Sequence, residues 1–149
     1  MVRMEDVYSA FEQIQETHGE LDILVNNAAA NPYFENVLDT ELNAFTKTVD
    51  VGIRGYFSMS VEAGKLMRDN LAGVIINTAS TGALMPGPAQ AIYSITKAAI
   101  VNMTRPSLKN VPPIIFADAL LINEQIYKAA ISRAPMGRHA EPEEMAGTA

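Results

Sequence analysis

The sequence predicts an α/β fold in which a few parallel strands are flanked by long helices. Two short apolar runs, at 21–27 and 73–79, are bounded by glycine or small polar residues, which is typical of buried strands. Helical patterns cover 4–18, 41–69 and 91–104, so helices and strands alternate along the chain. Such alternation is typical of α/β proteins with a parallel sheet. With 149 residues, the whole chain, 1–149, is expected to form one domain.

The composition excludes several classes of protein. A net charge of -6, with no cluster of Lys or Arg to offset it, disfavours a nucleic acid or an anionic membrane as a partner. The absence of cysteine excludes disulfides and thiolate zinc sites, and His18 and His139 show no metal-ligand spacing, so we expect no metal site. No apolar run reaches the ~18 residues of a membrane span and no secretory pattern is present, so we expect a cytoplasmic protein.

The first helix and the first strand follow from spacing and from the residues that end them. Apolar residues recur at helical intervals over 4–18, and Gly19 is a natural helix end. The buried strand at 21–27 ends in Asn26 and Asn27, a residue type that is common in turns. The apolar positions of the helix are Val7, Phe11 and Ile14.

A long apolar stripe runs along the helix predicted at 41–69. Asp39 or Thr40 is the expected N-terminal cap, and Gly52 and Gly55 indicate a bend in the middle. Because the apolar residues recur at helical spacing, we expect this stripe to face the core. Its members are Leu42, Phe45, Val49, Ile53, Phe57, Val61, Leu66 and Met67.

Three side chains around the second strand form a candidate proton-transfer site. Ser80 directly follows the strand, and in an open α/β sheet ligands bind beyond the carboxyl ends of the strands. Tyr93 and Lys97 are four apart on the helix 91–104 and share a face, where an ammonium favours the phenolate and makes Tyr93 a usable acid or base. Ser80 would then hold a substrate oxygen against the phenol. The four-residue spacing by itself also fits a Tyr and a Lys on a half-buried helix that extend their polar ends towards solvent and pair with each other.

The segment from 73 to 104 resembles the active-site segment of the short-chain dehydrogenase/reductases. In that family a strand ends in a catalytic Ser and a Tyr-x-x-x-Lys pattern follows, and Ser80, Tyr93 and Lys97 match in type, order and separation. The resemblance implies an incomplete Rossmann-like, doubly wound fold. It also implies hydride transfer between NAD or NADP and a small-molecule carbonyl or alcohol, with these three residues catalytic and with Tyr93 and Lys97 also contacting the cofactor.

A second motif of the same family lies at the first strand. The run Asp22-Ile-Leu-Val-Asn-Asn-Ala28 is similar to the family's Asn-Asn-Ala-Gly motif, in which the second Asn ties strands together and the segment borders the cofactor. The resemblance therefore implies cofactor-binding roles for Asn27 and Ala28. Ala29 stands where the family usually has Gly.

Several parts of the family pattern are altered or absent. Gly52 replaces an Asn that helps to hold a water beside the family's Lys, so we expect a broken proton relay. Pro106 and Pro112-Pro113 interrupt 105–115, where a block of the family fold is expected to be missing, and the resemblance resumes over 116–148. The family's first strand and last strand are also expected to be missing, and the sequence contains neither Gly-x-x-x-Gly-x-Gly nor Gly-x-Gly-x-x-Gly.

Two functions from different classes follow from this mixture. The first is an NAD(P)-dependent oxidoreductase, expected to be weak or inactive on its own because no Gly-rich turn is encoded to hold the pyrophosphate. The second is a non-enzymatic, truncated relative that self-associates or binds a partner. Because a small sheet with an open edge favours association, we expect a homo-oligomer formed through the helices 41–69 and 91–104, with strands exchanged between subunits as a further option.

Overall fold

The computed structural model describes residues 1–31, 36–69, 73–104 and, as a backbone strand, 115–118. All of them belong to the unit Met1–Asp118, and the part of the predicted single domain that follows lies outside the described residues. The helices are α1 (Met4–His18), α2 (Leu42–Val49), α3 (Tyr56–Asp69) and α4 (Ala91–Thr104), with a π-helical segment, Asp50–Gly55, joining α2 to α3. The strands are β1 (Ile23–Asn26), β2 (Val74–Ala79) and β3 (Ile115–Asp118), and two 3₁₀ turns cover Val37–Asp39 and Thr81–Ala83.

The three strands form one parallel sheet in the order β1-β2-β3. Ile23 pairs with Val74 at the start of β1, and Ala79 pairs with Asp118 at the end of β2 and β3. The predicted α/β class with few parallel strands is therefore confirmed. Only two strands were expected from the sequence. The third strand, β3, was missed because its four residues, close behind a proline pair, are too few to show a periodic pattern. The interpretations that rest on Pro106, on Pro112-Pro113 and on 119–148 lie outside the described residues.

The first hydrophobic core lies between α1, α3 and one side of β1 and β2. Its fully buried members are Val7 and Phe11 from α1, Leu24 and Ile75 from the strands, and Ala63 and Met67 from α3. Gly19 ends α1 in the left-handed region at φ 77°, where it has no Cβ to strain, and its N–H donates to the Gln15 carbonyl at 3.1 Å. The predicted first helix, its buried face and its end are confirmed.

The predicted core-facing stripe of the long helix is wrong for half of its members, while Val49, Ile53 and Leu66 are half-buried. Leu42 is 76% exposed and Phe57 is 57% exposed, and Phe45 and Val61 are also exposed, whereas Met67 is buried. The buried positions instead include Thr48, Gly52 and Tyr56, each one residue before a predicted member of the stripe. Ala63 and the predicted Met67 are buried as well. Small and polar residues form much of this face, so hydropathy favoured the more apolar neighbours on the wrong side.

Two further details of these elements differ from expectation. Glu41, with no side-chain bond to the backbone, precedes α2, while Asp39 belongs to the preceding 3₁₀ turn; the predicted cap is therefore wrong. The strand β1 is buried on one face only, since Leu24 and Asn26 are buried but Ile23 and Val25 are more than half exposed. The irregularity predicted around Gly52 and Gly55 is present as the π-helical segment.

None of the helices in the described part of the chain is long and apolar enough to cross a bilayer.

Candidate active site

Ser80 lies at the carboxyl end of β2, where the sheet opens into the 3₁₀ turn Thr81–Ala83. Its side chain is buried, and Oγ accepts a hydrogen bond from the backbone N–H of Gly82 at 3.1 Å. This side-chain-to-backbone bond is the usual way in which a Ser closes a turn, and it fixes the Oγ position. The bond uses a lone pair of the oxygen, so the hydroxyl proton can be donated to a substrate.

The helix α4 places Tyr93 and Lys97 side by side. The Lys97 ammonium lies 5.5 Å from the centre of the Tyr93 ring, and it donates a hydrogen bond to the Thr78 carbonyl of β2 at 2.6 Å. Both side chains are nearly enclosed, with Lys97 2% exposed and Tyr93 8% exposed. The snorkelling surface pair that spacing alone allowed is therefore not the arrangement in this structure. A buried ammonium beside a phenol favours the phenolate, which is the arrangement that acid-base chemistry requires.

A second tyrosine, which the sequence analysis did not single out, also lies beside Lys97. Tyr56, the first residue of α3, is 2% exposed, and the centre of its ring lies 5.4 Å from the Lys97 ammonium. Its hydroxyl donates to the same Thr78 carbonyl at 3.4 Å, which is a long and weak hydrogen bond. Burial, and to a smaller extent the charge of Tyr93, together raise the pKa of Tyr56 to about 12. Tyr56 is therefore a neutral phenol at physiological pH.

Hydrogen bonds tie the end of β1 to β2 next to this group. The Thr78 hydroxyl donates to the Asn27 side-chain oxygen at 2.9 Å, which gives Asn27 the strand-tying contact that the resemblance implied. Asn26 is buried and donates to the Asn77 side-chain oxygen at 2.8 Å and to the Ser60 hydroxyl of α3 at 3.1 Å. Turn chemistry, the interpretation of Asn26 from residues alone, misses this buried network.

The network continues into α4 and fixes the helix that carries Tyr93 and Lys97. The Asn77 side-chain amide donates to the Thr104 hydroxyl at 3.2 Å, and Thr104 in turn donates to the Ile100 carbonyl at 2.6 Å. The groups of Asn26, Asn77 and Thr104 are buried, so the bonds between Asn26, Asn77, Thr104 and the Ile100 carbonyl replace water that cannot enter. Ala28 follows the network at the carboxyl end of β1 and is exposed there.

Gly52 allows the π-helical segment to approach α4 closely. A Cβ at this position would lie 3.0 Å from both the Cβ and the Oγ1 of Thr96, which is one residue before Lys97. Real Cβ contacts are rarely this short, so the asparagine that the family has here would require Thr96 to shift by a few tenths of an ångström. The side chain expected to be missing from the relay is thus replaced by direct packing of backbone against Thr96.

Ser94 contributes a second buried hydroxyl near Ser80. A Cβ on Gly82 would lie 3.2 Å from the Ser94 Oγ and 3.4 Å from the Ser80 Oγ, so both oxygens flank the same glycine. Within the described part of the chain, the Ser94 Oγ has no hydrogen-bond partner. Nothing in the residue pattern indicates this role for Ser94 beyond its position directly after Tyr93.

The donors at this edge of the sheet fit one end of a nicotinamide dinucleotide. Hydroxyls from Ser80 and Tyr93, the ammonium of Lys97 and the amide of Asn27 are groups that hydrogen-bond ribose hydroxyls and a carboxamide. The carboxyl ends of β1 and β2, where these groups lie, are where doubly wound folds bind such ligands. The pyrophosphate needs a Gly-rich turn before a helix, and the sequence has no such motif. The fit therefore covers the ribose and nicotinamide end.

Comparison with known proteins agrees with this geometry. A family model described as enoyl-(acyl carrier protein) reductase matches residues 2–107. An uncharacterized oxidoreductase of Thermotoga maritima is 34% identical over 95% of this chain and 64% of its own length. A 3alpha-hydroxysteroid dehydrogenase of Mediterraneibacter gnavus is 30% identical over 94% of this chain and 60% of its own length. The crystal structure of NAD+-bound xylitol dehydrogenase superposes with a TM-score of 0.85 at 22% identity, covering 98% of this chain and 67% of that one.

These matches confirm the resemblance seen in the sequence and the Rossmann-like fold. The chain spans about three fifths of the length of the two curated relatives. Both relatives are oxidoreductases by name, and the family model covers the whole stretch from α1 through α4. The chain belongs to the short-chain dehydrogenase/reductase family.

Proposed function

We propose that the chain carries the proton-transfer half of an NAD(P)-dependent oxidoreductase that acts on a small carbonyl or alcohol. The observation that supports this most directly is the Lys97 ammonium, which is buried, fixed to the Thr78 carbonyl at 2.6 Å and 5.5 Å from the Tyr93 ring. Burying a cation costs several kcal/mol unless hydrogen bonds and nearby groups offset that cost, so buried lysines are uncommon. An ammonium held in this way beside a phenol stabilises the phenolate that acid-base chemistry requires.

The assignment of roles follows from the chemistry of each group. A bound nicotinamide nucleotide would supply the hydride for reduction or accept it for oxidation. Ser80 donates a hydrogen bond to the substrate oxygen and so orients it, and Tyr93 donates its proton to that oxygen as negative charge develops there. The Lys97 ammonium stabilises the phenolate that remains. In the oxidation direction, the phenolate of Tyr93 takes the alcohol proton.

The same edge of the sheet would hold the cofactor. We assign contacts with its ribose to Tyr93 and Lys97, and contacts at the end of β1 to Asn27 and Ala28. Asn27 is fixed by Thr78, so its amide is oriented before a ligand arrives, which lowers the entropy lost on binding.

Two measurements test this proposal. Titration with NADH and NADPH should show binding of at least one of them, and Tyr93→Phe should lower carbonyl reduction by a factor of at least about 100, the contribution typical of a positioned acid. Tyr8→Phe is the matched control, because Tyr8 is an exposed tyrosine on α1. Equal rates for the wild type and Tyr93→Phe, or no nucleotide binding, would reject the proposal.

The second candidate is a non-enzymatic protein that self-associates, and one specific observation favours it. Leu42, Phe45, Phe57 and Val61 are exposed along α2 and α3, and Ile95 is 56% exposed on α4. Exposed apolar residues aligned on helices mark interaction surfaces in soluble proteins. We propose that α2, α3 and α4 pair with a second copy of the chain.

This association is tested by mass in solution. Replacing Leu42 and Phe57 together by Ser should lower the mass measured by light scattering to that of one chain and leave the circular dichroism spectrum unchanged. The control replaces Leu38 and Tyr8 by Ser, a matched exposed pair outside the three helices. A wild-type protein that is monomeric at all concentrations would contradict the pairing.

A further inference from the structure

Lys97 is enclosed by two aromatic rings and one carbonyl. Its ammonium lies 5.4 Å from the centre of the Tyr56 ring and 5.5 Å from that of Tyr93, both within the ~6 Å at which a cation is attracted to an aromatic face. The third contact is the hydrogen bond to the Thr78 carbonyl at 2.6 Å. Because Lys97 is 2% exposed, water cannot screen these contacts, and each of them restricts where the ammonium can lie.

Tyr56 is suited to hold a cation without competing for protons. Burial raises its pKa to about 12, so it stays a neutral phenol over the pH range in which Tyr93 has to exchange its proton. Among the described residues, the titratable groups beside it are Tyr93 and Lys97, both on α4, and β2 contributes the Thr78 carbonyl. Removing the Tyr56 side chain therefore removes no charge from the site below about pH 11.

The position of Tyr56 depends on the close packing one turn earlier. Gly52 precedes it by four residues and brings the π-helical segment against Thr96, so the first turn of α3 meets α4 beside Lys97. Tyr56 belongs to the second hydrophobic core, with Ala79 of β2 and Ile100 of α4, and these contacts fix its ring. A side chain with a fixed ring can in turn fix the flexible four-carbon chain of a lysine.

We propose that Tyr56 is a positioning residue that keeps the Lys97 ammonium beside Tyr93, through the face of its ring and through the shared Thr78 carbonyl. The inference rests on the proposed function for its catalytic meaning, but the placement of the ammonium is a property of the free protein. Without the Tyr56 ring, the ammonium gains freedom, stabilises the Tyr93 phenolate less, and the titration of Tyr93 moves to higher pH.

The test is a titration of the nucleotide-free protein labelled with ¹³C at the tyrosine ring carbon that bears the hydroxyl. The Tyr93 resonance is assigned by its loss in Tyr93→Phe. In Tyr56→Leu the titration midpoint of Tyr93 should move to higher pH, and in Tyr56→Phe it should move less in the same direction. In the control Tyr8→Phe, which changes an exposed tyrosine, the Tyr93 midpoint should stay in place. An unchanged Tyr93 midpoint in a folded Tyr56→Leu variant overturns the proposal.

A measurement on the wild type covers the case in which Tyr56→Leu does not fold. Two rings at these distances should shift the Lys97 ε-protons upfield of those of the other lysines, and ε-protons at the ordinary lysine position overturn the proposal. In turnover, Tyr56→Leu should lower kcat about tenfold with KM changed less than twofold, because Tyr56 is 2% exposed and acts through Lys97. If nucleotide binding and turnover fail while the Tyr93 midpoint moves, the proposed function falls and the positioning role stands. Turnover with no movement of the midpoint rejects the positioning role alone.

Discussion

The same substitution at two glycines should change stability in opposite directions. Gly52 and Gly64 both lie in the long helical stretch, and replacing either by Ala gains about 0.5–1 kcal/mol from helix propensity. At Gly64 nothing lies within 4 Å of the new Cβ, so the gain is retained. At Gly52 the new Cβ lies 3.0 Å from the Cβ and the Oγ1 of Thr96, and overpacking of this kind costs about 1–3 kcal/mol.

Thr96 has little room to move away from residue 52. Its hydroxyl donates to the Tyr93 carbonyl at 2.8 Å, and it is nearly fully buried on α4. We therefore expect Gly52→Ala to lose about 1 kcal/mol net and Gly64→Ala to gain somewhat less than 1 kcal/mol, a difference of about 2 kcal/mol.

Urea unfolding at one fixed protein concentration measures this difference through the transition midpoint, because the proposed association would make stability depend on concentration. The slope of the transition should stay the same in both variants. A movement of Thr96 also displaces the turn that carries Tyr93, so Gly52→Ala should lower turnover and Gly64→Ala should not. If Gly52→Ala is as stable as Gly64→Ala, the close approach of the π-helical segment to α4 is wrong.

Two further predictions concern the buried polar groups. Asn26→Ala leaves the buried Asn77 oxygen without its donor and should cost about 2–4 kcal/mol in urea unfolding, whereas Asn102→Ala, which removes an exposed bond on α4, should stay within about 0.5 kcal/mol. Because the folded pKa of Tyr56, about 12, exceeds the ordinary tyrosine value of 10.0, the unfolded chain loses this proton first and stability falls between pH 10 and 12. Tyr56→Phe has no phenol to titrate at this position, so its unfolding midpoint should fall less than that of the wild type from pH 9 to pH 11; an equal fall would contradict the raised pKa.

The residues that could be predicted from sequence are those whose type and spacing carry the information by themselves. The helix α1 is periodic and ends in a glycine that adopts the left-handed region, and both features are visible in the residues. Ser80, Tyr93 and Lys97 were found because their order and separation are specific, and the structure places the last two side by side.

The residues that were missed depend on which face of an element meets its neighbours. Tyr56 and Phe57 are adjacent, equally aromatic and oppositely placed, since α3 presents Tyr56 to Lys97 and leaves Phe57 exposed. Hydropathy ranks Phe57 above Tyr56, and only the packing of Gly52 against Thr96 decides between them. The buried role of Asn26 likewise depends on its partner across the strand pair, Asn77, which is 51 positions later.

Thr78 links the pairing of two strands to the position of the ammonium. Its hydroxyl binds Asn27 on β1, and its carbonyl accepts from Lys97 on α4. A fluctuation that parts β1 from β2 breaks the first contact and lets the peptide of Thr78 turn, which deprives Lys97 of its acceptor. Partial opening of this kind requires less free energy than global unfolding. Mild heat or dilute denaturant would thus inactivate the protein before its helices melt. A ligand that bridges the carboxyl ends of β1 and β2 would protect the protein against both treatments.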